Sequence, residues 1–338
     1  MKSIEIIAPH QVAVIERKKP DLRDPHDVLI HVRYVGICGS DIHIYHGTNP
    51  FASYPRVFGH EFVGEVEAVG EAVTKLQAGD HVICEPIEYC GKCYACTHGS
   101  PNVCPDVHVY GVHIDGGGCE YIVLPEEKVF SVSREIPWKE LVLSEPLTIG
   151  AQVCLRGEVR SEDSMLVMGA GPIGLCIMLM AKRAGAKVIM SDLLDERLAY
   201  AEKLGADFIF NAGREDTKEV IDRITRGYGV NVVADTVSTG ASLELAAEIA
   251  SPAGRVVEIG FDSVKASIPL KTFTQKQLRI SGSRLQSYRF EVVRDVMNER
   301  SLPLSDFVDR VFSAEQAPEA FRYCDDHAGR FRKIVIEF

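Results

Sequence analysis

Three side chains that suit one metal ion, and two that can carry a proton, lie in a single stretch of 26 residues, GICGSDIHIYHGTNPFASYPRVFGHE. The thiol of Cys38, the imidazole of His60 and the carboxylate of Glu61 are ligand types of a catalytic zinc, which takes about three protein ligands and keeps one position open. Ser40 and His43 follow Cys38 by two and five residues and can pass a proton. Taken singly, Cys38 also fits a small buried apolar residue and His60 a hydrogen-bonded core histidine. The rest of the chain therefore has to decide between these interpretations.

A second group with metal-ligand spacing is formed by four cysteines, Cys90, Cys93, Cys96 and Cys104. The pattern C-x2-C-x2-C-x7-C, on a segment that contains glycine and proline, fits a closed tetrahedral structural zinc. Free thiols in such a run would oxidise or cross-link, and in a reducing compartment clustered cysteines indicate metal rather than disulfides. A [4Fe–4S] cluster is the alternative. We predict a structural zinc and a cytoplasmic protein.

A glycine-rich turn, GAGPIG from residue 169, follows the predicted strand Ser164–Met168 and opens a helix. In this context the G-x-G-x-x-G spacing lets backbone N–H groups approach a pyrophosphate at the helix N-terminus. Asp192, about twenty residues further on, would accept hydrogen bonds from the adenosine ribose and repel a 2′-phosphate, which favours NAD over NADP. Asp192 can also cap the helix predicted from Asp195.

Two kinds of periodicity predict the elements that position these groups. Before residue 85, short alternating stretches such as Gln11–Glu16 and Asp27–Val35 predict β-strands. From Ser161 onward, apolar strands alternate with helices, which predicts a parallel, doubly wound α/β sheet. The predicted strands there are Ser164–Met168, Lys187–Ser191, Asp207–Phe210, Val230–Ala234, Arg255–Ile259 and Leu278–Gly282, and the helices are Leu175–Ala184, Asp195–Leu204, Glu215–Thr225 and Ala241–Ala250.

The chain is predicted to divide into two domains. A closing strand, Lys333–Phe338, is predicted to return to the sheet of the first domain. The first domain is therefore predicted to comprise residues 1–150 and 289–338, with the cysteine lobe at 90–104, and the coenzyme domain residues 151–288.

Length and charge exclude several classes of function. The 338 residues fit about two domains. The net charge of −11 disfavours nucleic acid as a partner, because phosphate binding needs a basic face. The longest apolar run, Ile173–Ala181, is too short to cross a membrane, and the first residues lack the apolar region of a signal peptide. We therefore expect a small-molecule ligand and no membrane association.

Together these motifs resemble the zinc-dependent medium-chain dehydrogenase/reductase family over the whole chain. The run GHE-x2-G-x5-G-x2-V, from Gly59 to Val73, looks like the zinc signature of that family. The resemblance implies a GroES-like β-rich catalytic domain, a Rossmann coenzyme domain, two zinc ions per subunit, NAD, and a homodimer or homotetramer. The pieces GICGSD, GHE and SEPL are most similar to the polyol branch, which includes sorbitol and threonine dehydrogenases.

The resemblance also implies a role for each site residue. Candidate ligands of the catalytic zinc are Cys38, His60, Glu61 and Glu145, and either glutamate can be the one bound at rest. Ser40 and His43 match the proton relay of the family, although a turn hydroxyl and a solvated loop residue are the alternatives. The implied coenzyme-binding residues are Gly169, Gly171, Pro172, Ile173, Gly174, Asp192, Arg197 and Arg284.

Two loops, NPFASYPRVFGHE and GVHIDGG, are similar to those of bacterial L-galactonate or L-gulonate 5-dehydrogenases and of starvation-sensing-type dehydrogenases. The resemblance implies that a secondary alcohol of a sugar acid or polyol is oxidised to a ketone by NAD, with Arg284 contacting the cofactor or a substrate carboxylate. A surface cation is the alternative for Arg284. Competing functions are an L-threonine 3-dehydrogenase-like activity and a non-catalytic, nucleotide-binding sensor on the same fold.

Overall fold

The structure is a computed structural model that describes residues 1–261 and 263–338, and these residues form two compact units. Unit 1 comprises Met1–Glu145 and Phe290–Phe338, and unit 2 comprises Pro146–Arg289. Unit 1 is thus built from two separate stretches of the chain, whereas unit 2 is continuous.

The strands are β1 (Lys2–Ala8), β2 (Gln11–Glu16), β3 (Asp27–Ile37), β4 (Arg56–Val57), β5 (Glu61–Val69), β6 (His81–Cys84), β7 (Ile87–Glu88), β8 (His108–Val109), β9 (Tyr121–Pro125), β10 (Val129–Val132), β11 (Ser164–Met168), β12 (Lys187–Asp192), β13 (Phe208–Asn211), β14 (Val230–Asp235), β15 (Ala250–Glu258), β16 (Arg279–Gly282), β17 (Arg310–Ser313) and β18 (Ile334–Glu337). The helices are α1 (Gly39–Tyr45), α2 (Tyr94–Thr97), α3 (Trp138–Leu141), α4 (Ser144–Arg156), α5 (Pro172–Arg183), α6 (Asp195–Lys203), α7 (Thr217–Thr225), α8 (Gly240–Ile249), α9 (Leu270–Lys276), α10 (Phe290–Glu299) and α11 (Ala317–Asp326). Short 3₁₀ turns cover Pro101–Val103, Glu126–Lys128 and Ala314–Gln316. Within the described part of the chain, no helix combines the length and the apolar character needed to cross a bilayer.

The central strand of unit 1 is β3, which has 11 residues, most of them apolar and buried. Its sheet has the order β10-β6-β5-β3-β18-β17, and β9 also pairs with β3. The closing strand β18 runs antiparallel to β3, with Val335 opposite Gly36, which confirms that the C-terminal strand returns to this sheet. The fully buried rings of Phe58, Phe62 and Phe321 belong to the core of this unit.

Unit 2 is a six-stranded sheet of order β13-β12-β11-β14-β15-β16, in which every pairing is parallel. The central strands β11 and β14 are mostly apolar and buried along most of their length. This pattern is typical of a parallel sheet, since helices cover both of its faces and leave no side of a strand in water. The doubly wound α/β class predicted from the sequence is confirmed. Some bounds differ: the helix predicted from Glu215 begins at Thr217, since the Asp216 side chain caps it by accepting the Glu219 N–H at 2.9 Å.

Candidate functional site

Strand register brings the predicted metal ligands of unit 1 together. Gly36 on β3 lies opposite Glu61 on β5, so the residues that follow β3 and precede β5 meet at one end of this pair. Cys38 stands there as the N-cap of α1. His60 directly precedes β5, and both His60 and Glu61 are buried.

The ligand atoms of Cys38, His60 and Glu61 all lie within 4.8 Å of one another. A thiol, an imidazole and a carboxylate at this spacing fit a zinc ion, which binds such donors at about 2.0–2.3 Å. Glu145, in the first turn of α4, is buried but does not join this three-residue cluster. Burial raises the pKa of the Glu145 carboxyl to about 7; His60 lowers this pKa and Glu61 raises it. Glu145 therefore interacts electrostatically with two members of the cluster.

Asp41 is a fully buried residue that sequence reasoning missed. One carboxylate oxygen, Oδ2, accepts the backbone N–H of Cys38 at 2.8 Å, and the other, Oδ1, lies 3.8 Å from Nδ1 of His60. Neither that oxygen nor Nδ1 makes a hydrogen bond within the described residues. Asp41 thus anchors the backbone of Cys38 and places a carboxylate oxygen behind His60, the position that carboxylates commonly take beside metal-binding histidines. The signal for it was present: an acid three residues after a helix N-cap is part of a capping box.

The electrostatics of His60 follow from this arrangement. Burial disfavours the charged imidazole, but Asp41 and Cys38 outweigh it and raise the pKa of His60 well above its ordinary value. Burial raises the pKa of Asp41 in turn. A proton on Nδ1, facing Asp41, leaves Nε2 for a metal; Nε2 lies 3.4 Å from Oγ of Ser40.

We expect Asp41→Asn to weaken zinc binding at the cluster of Cys38, His60 and Glu61 by about 10- to 100-fold, the usual effect of losing a partner behind a metal ligand. Zinc binding at the four-cysteine lobe should not change. An amide can keep the bond to the Cys38 N–H, but its NH₂ group would favour the tautomer of His60 with the proton on Nε2. Zinc retained by the purified variant during titration with a chelator measures the effect. Asp21→Asn, at an exposed acid paired with Lys18, is the matched control. Equal zinc retention in both variants would contradict this role.

Lys333 is a second residue that the sequence did not reveal. Its Nζ lies 2.7 Å from both carboxylate oxygens of Glu61, and the two side chains are 3% and 1% exposed. Gly36 makes room for this pair, because a Cβ there would lie 2.1 Å from Oε2 of Glu61. Glu61 is therefore fixed as a compensated carboxylate beside the other two ligands.

The two proton-relay candidates differ in their surroundings. Ser40 lies half-buried in the first turn of α1, with its hydroxyl at His60. His43 is exposed one turn further along, and its Nδ1 lies 3.1 Å from Oγ1 of Thr48. Both lie on α1, one beside the metal ligands and one at the surface, and their relay role stays a prediction.

The four clustered cysteines converge as the spacing predicts. Cys93 Sγ lies 3.5 Å from Cys96 Sγ and 3.7 Å from Cys104 Sγ, which itself lies 3.5 Å from Cys90 Sγ. A disulfide would need about 2.05 Å, whereas four thiolates around zinc at about 2.3 Å stand roughly 3.8 Å apart. The backbone N–H of Lys92 lowers the pKa of Cys90 to about 6, which favours the thiolate that a metal needs. The quartet fits a closed tetrahedral site.

The glycine turn of unit 2 needs glycine at two of its positions, and its pyrophosphate-binding role stays a prediction. Gly169 has φ +101°, and a Cβ on Gly174 would lie 1.9 Å from the Gly169 carbonyl oxygen. Gly171 is the N-cap of α5 and Pro172 its first residue, followed by Ile173, so the turn feeds straight into a helix N-terminus.

Asp192 ends β12 beside this turn. Its carboxylate accepts the N–H groups of Ala170 at 2.8 Å and Leu194 at 2.9 Å, and the Arg197 guanidinium lies 3.3 Å away. Asp192 therefore links the turn to the segment that opens α6. The Arg284 guanidinium stands over the ring of Phe261, 5.0 Å from its centroid. The coenzyme roles of Asp192, Arg197 and Arg284 stay predictions.

Comparisons with known proteins agree with this architecture. The alcohol dehydrogenase GroES-like domain matches residues 24–134, and the zinc-binding dehydrogenase family matches residues 172–299. Starvation-sensing protein RspB of Escherichia coli K12 is 37% identical over 340 residues, which cover 100% of this chain and 99% of that protein. D-xylulose reductase A of Aspergillus oryzae is 33% identical over 337 residues, covering 97% and 94% of the two chains.

A solved structure is equally similar. The short chain alcohol dehydrogenase rspB from E. coli CFT073, complexed with the cofactor NADH, has a TM-score of 0.93 at 36% identity and covers 100% of this chain and 99% of that chain. The expected zinc and NAD dependence is confirmed at the level of the family. The chain belongs to the zinc-dependent medium-chain alcohol dehydrogenase family, and is a zinc- and NAD-dependent oxidoreductase of the kind that acts on polyols and sugar alcohols.

Proposed function

We propose that this enzyme oxidises a secondary hydroxyl of a sugar acid to a ketone, with a hexonate such as L-galactonate or L-gulonate as substrate and NAD as oxidant. The observation that carries the reaction type is the cluster of half-buried Cys38 with buried His60 and Glu61, next to Asp41 and Lys333. A non-catalytic sensor would have no need for this complete set of ligands and supports.

Each residue has a part in the reaction. Cys38, His60 and Glu61 would hold the zinc, with Glu145 as a further carboxylate at the same buried region. Zinc supplies Lewis acidity, which makes the substrate hydroxyl a stronger acid. NAD, when bound, would be the two-electron oxidant that takes up the hydride of the carbinol carbon as the alcohol becomes a ketone. The hydroxyl proton passes to Ser40 and leaves the protein through His43.

The choice of a sugar acid is supported by two features. The loops NPFASYPRVFGHE and GVHIDGG are similar to those of L-galactonate and L-gulonate dehydrogenases. Arg284 supplies a guanidinium, which binds a carboxylate with two parallel hydrogen bonds better than any other side chain. A polyol such as xylitol is the second candidate, because D-xylulose reductase A is among the relatives.

The experiment is a screen for NADH formation with L-galactonate, L-gulonate, xylitol, sorbitol and L-threonine, with zinc content measured on the same sample. We expect the highest kcat/KM with a hexonate. Arg284→Ala should raise the KM for the hexonate by about 10- to 100-fold, since hydrogen bonds to charged groups contribute about 1.5–3 kcal/mol, and leave that for xylitol unchanged. Arg279→Ala is the matched control, because Arg279 is an exposed arginine of β16 that pairs with Glu158.

The possible outcomes separate the alternatives. A higher kcat/KM with xylitol or threonine would replace the hexonate by that substrate class. Unchanged kinetics of Arg284→Ala with a hexonate would remove Arg284 from substrate binding. NAD binding without NADH formation across the panel would favour the sensor.

Location and assembly are part of the same proposal. We place the enzyme in the cytoplasm, because the four metal-ligand cysteines need a reducing compartment. A homodimer or homotetramer is proposed from the resemblance to the polyol branch of the family. Light scattering of the purified protein measures the assembly.

A further inference from the structure

A third cluster of metal-ligating side chains lies in unit 1, apart from the two zinc clusters. It consists of His10, His46 and Asp325, whose ligand atoms all lie within 4.8 Å of one another. His46 Nε2 lies 2.9 Å from Oδ1 of Asp325, and the imidazole rings of His10 and His46 have centroids 5.3 Å apart at an angle of 35°. His10 and Asp325 are exposed and His46 is half-buried, so water has access to the cluster.

The three residues come from three elements that are far apart in the sequence. His10 lies in the turn between β1 and β2, His46 is the C-cap of α1, and Asp325 lies in the last turn of α11. A metal ion bound to all three would therefore connect the N-terminal hairpin and α1 to the C-terminal helix.

Buried contacts fix the positions of these elements. The His10 backbone N–H donates to the carbonyl oxygen of Tyr45 at 2.7 Å, and the Tyr45 ring packs edge-on against the His10 ring. Tyr45 also packs on the fully buried ring of Phe321 in α11. His10 itself has φ +60°, a left-handed conformation that residues other than glycine rarely adopt. The backbone thus directs the His10 side chain toward α1 and α11 before any ion is bound.

The chemistry of this donor set is that of a late first-row divalent cation. Two imidazoles and one carboxylate bind Zn²⁺ or Ni²⁺ well, whereas Mg²⁺ and Ca²⁺ prefer oxygen ligands alone. Ligand atoms around zinc at about 2.0–2.2 Å stand roughly 3–4 Å apart, so small rotations of these side chains complete the site. Water fills the remaining positions.

We propose that His10, His46 and Asp325 form a third cation site on the surface of unit 1, selective for Zn²⁺ or Ni²⁺ over Mg²⁺ and Ca²⁺. The site is separate from both the catalytic and the structural zinc, and it does not depend on the substrate. Occupation ties the β1–β2 turn to α11 and stabilises unit 1.

The test uses the enzyme with both zinc sites filled. Calorimetric titration with Zn²⁺, and separately with Ni²⁺, should show one additional cation per chain, and Mg²⁺ should show none. His10→Asn and His46→Ala should each weaken this binding by at least about 10-fold, because losing a ligand costs more than losing a partner behind one. Asparagine is chosen at position 10 because it tolerates the left-handed conformation. His26→Ala, at an exposed histidine outside the cluster, should bind as the unchanged protein does.

Thermal unfolding supplies an independent measurement. Added Zn²⁺ should raise the unfolding midpoint of the unchanged protein and of His26→Ala, but not of His10→Asn or His46→Ala. Comparison of all four proteins without added cation separates this effect from the loss of the His46–Asp325 contact. The proposal would be overturned if the unchanged protein bound no additional cation, or if His10→Asn and His46→Ala bound it as tightly as the unchanged protein does.

Discussion

Cys38→Ala should lower kcat/KM by at least about 10³-fold while the protein stays folded and keeps one zinc per chain. Cys38 is one of the three candidate ligands in the cluster that it forms with His60 and Glu61, and alanine offers no donor in its place. A catalytic metal stabilises the developing charge on oxygen by several kcal/mol, and each 1.36 kcal/mol corresponds to a factor of ten in rate. The four-cysteine lobe has its own ligands, so its zinc should remain.

Three measurements on one preparation check this prediction. NADH formation gives kcat/KM, elemental analysis gives zinc per chain, and circular dichroism gives the unfolding midpoint. Cys154→Ala removes a thiol that belongs to neither cluster and is the matched control. Normal oxidation of substrate by Cys38→Ala would show that the reaction does not use this metal site. Loss of both zinc ions would show instead that the two sites depend on each other.

Lys333→Met should lower the stability of unit 1 by about 3–5 kcal/mol, the usual cost of leaving one charge of a buried pair without its partner. Methionine keeps the length of the side chain but removes the ammonium that contacts both oxygens of Glu61. Burial of this pair is nearly complete, so water cannot compensate the carboxylate. The effect should be measured by urea unfolding after removal of zinc, since a bound cation would compensate Glu61 in part.

Two further variants make this prediction specific. Lys218→Met breaks an exposed pair with Glu248 and should cost no more than about 1 kcal/mol. The double variant Glu61→Gln with Lys333→Met removes both charges and should recover much of the lost stability, because a buried pair replaced as a whole costs little. Equal destabilisation by Lys333→Met and Lys218→Met would contradict the prediction, because the buried pair would then contribute no more to the free energy of unfolding than the exposed pair.

Motifs whose residues lie close together in the sequence could be predicted together with their geometry. The spacing of the cysteine quartet needs only one short lobe to bring four thiols together, and the structure does so. The glycine turn likewise depends on one strand, one turn and one helix, and the parallel sheet around it is confirmed. In both cases the physical cause, a metal geometry or a backbone approach, acts over a few residues.

The parts that could not be predicted depend on register between distant strands. Nothing near Lys333 in the sequence indicates that its ammonium faces Glu61; only the antiparallel pairing of β3 with β18 does so. Asp41 lies three residues from Cys38 and could have been singled out in the sequence. Its capping pattern, however, is common to many helix N-termini and does not by itself indicate a metal site. Glu145 lies in the first turn of α4 and is not one of the three clustered residues, a placement that periodicity does not specify.

The pairing of β3 with β18 also has a consequence for the order of events during synthesis. Residues 146–289 form unit 2 without interruption, so this unit can fold as soon as it has left the ribosome. Unit 1 has to wait, because its central strand β3 obtains one of its neighbours only from residues 334–337. The Glu61 carboxylate gains the ammonium of Lys333 as its buried partner only with this last segment. The nascent chain can therefore complete its coenzyme-binding half first, and the cluster of Cys38, His60 and Glu61 gains its full support only once residues 333–337 have been made, whereas the local four-cysteine lobe does not depend on them.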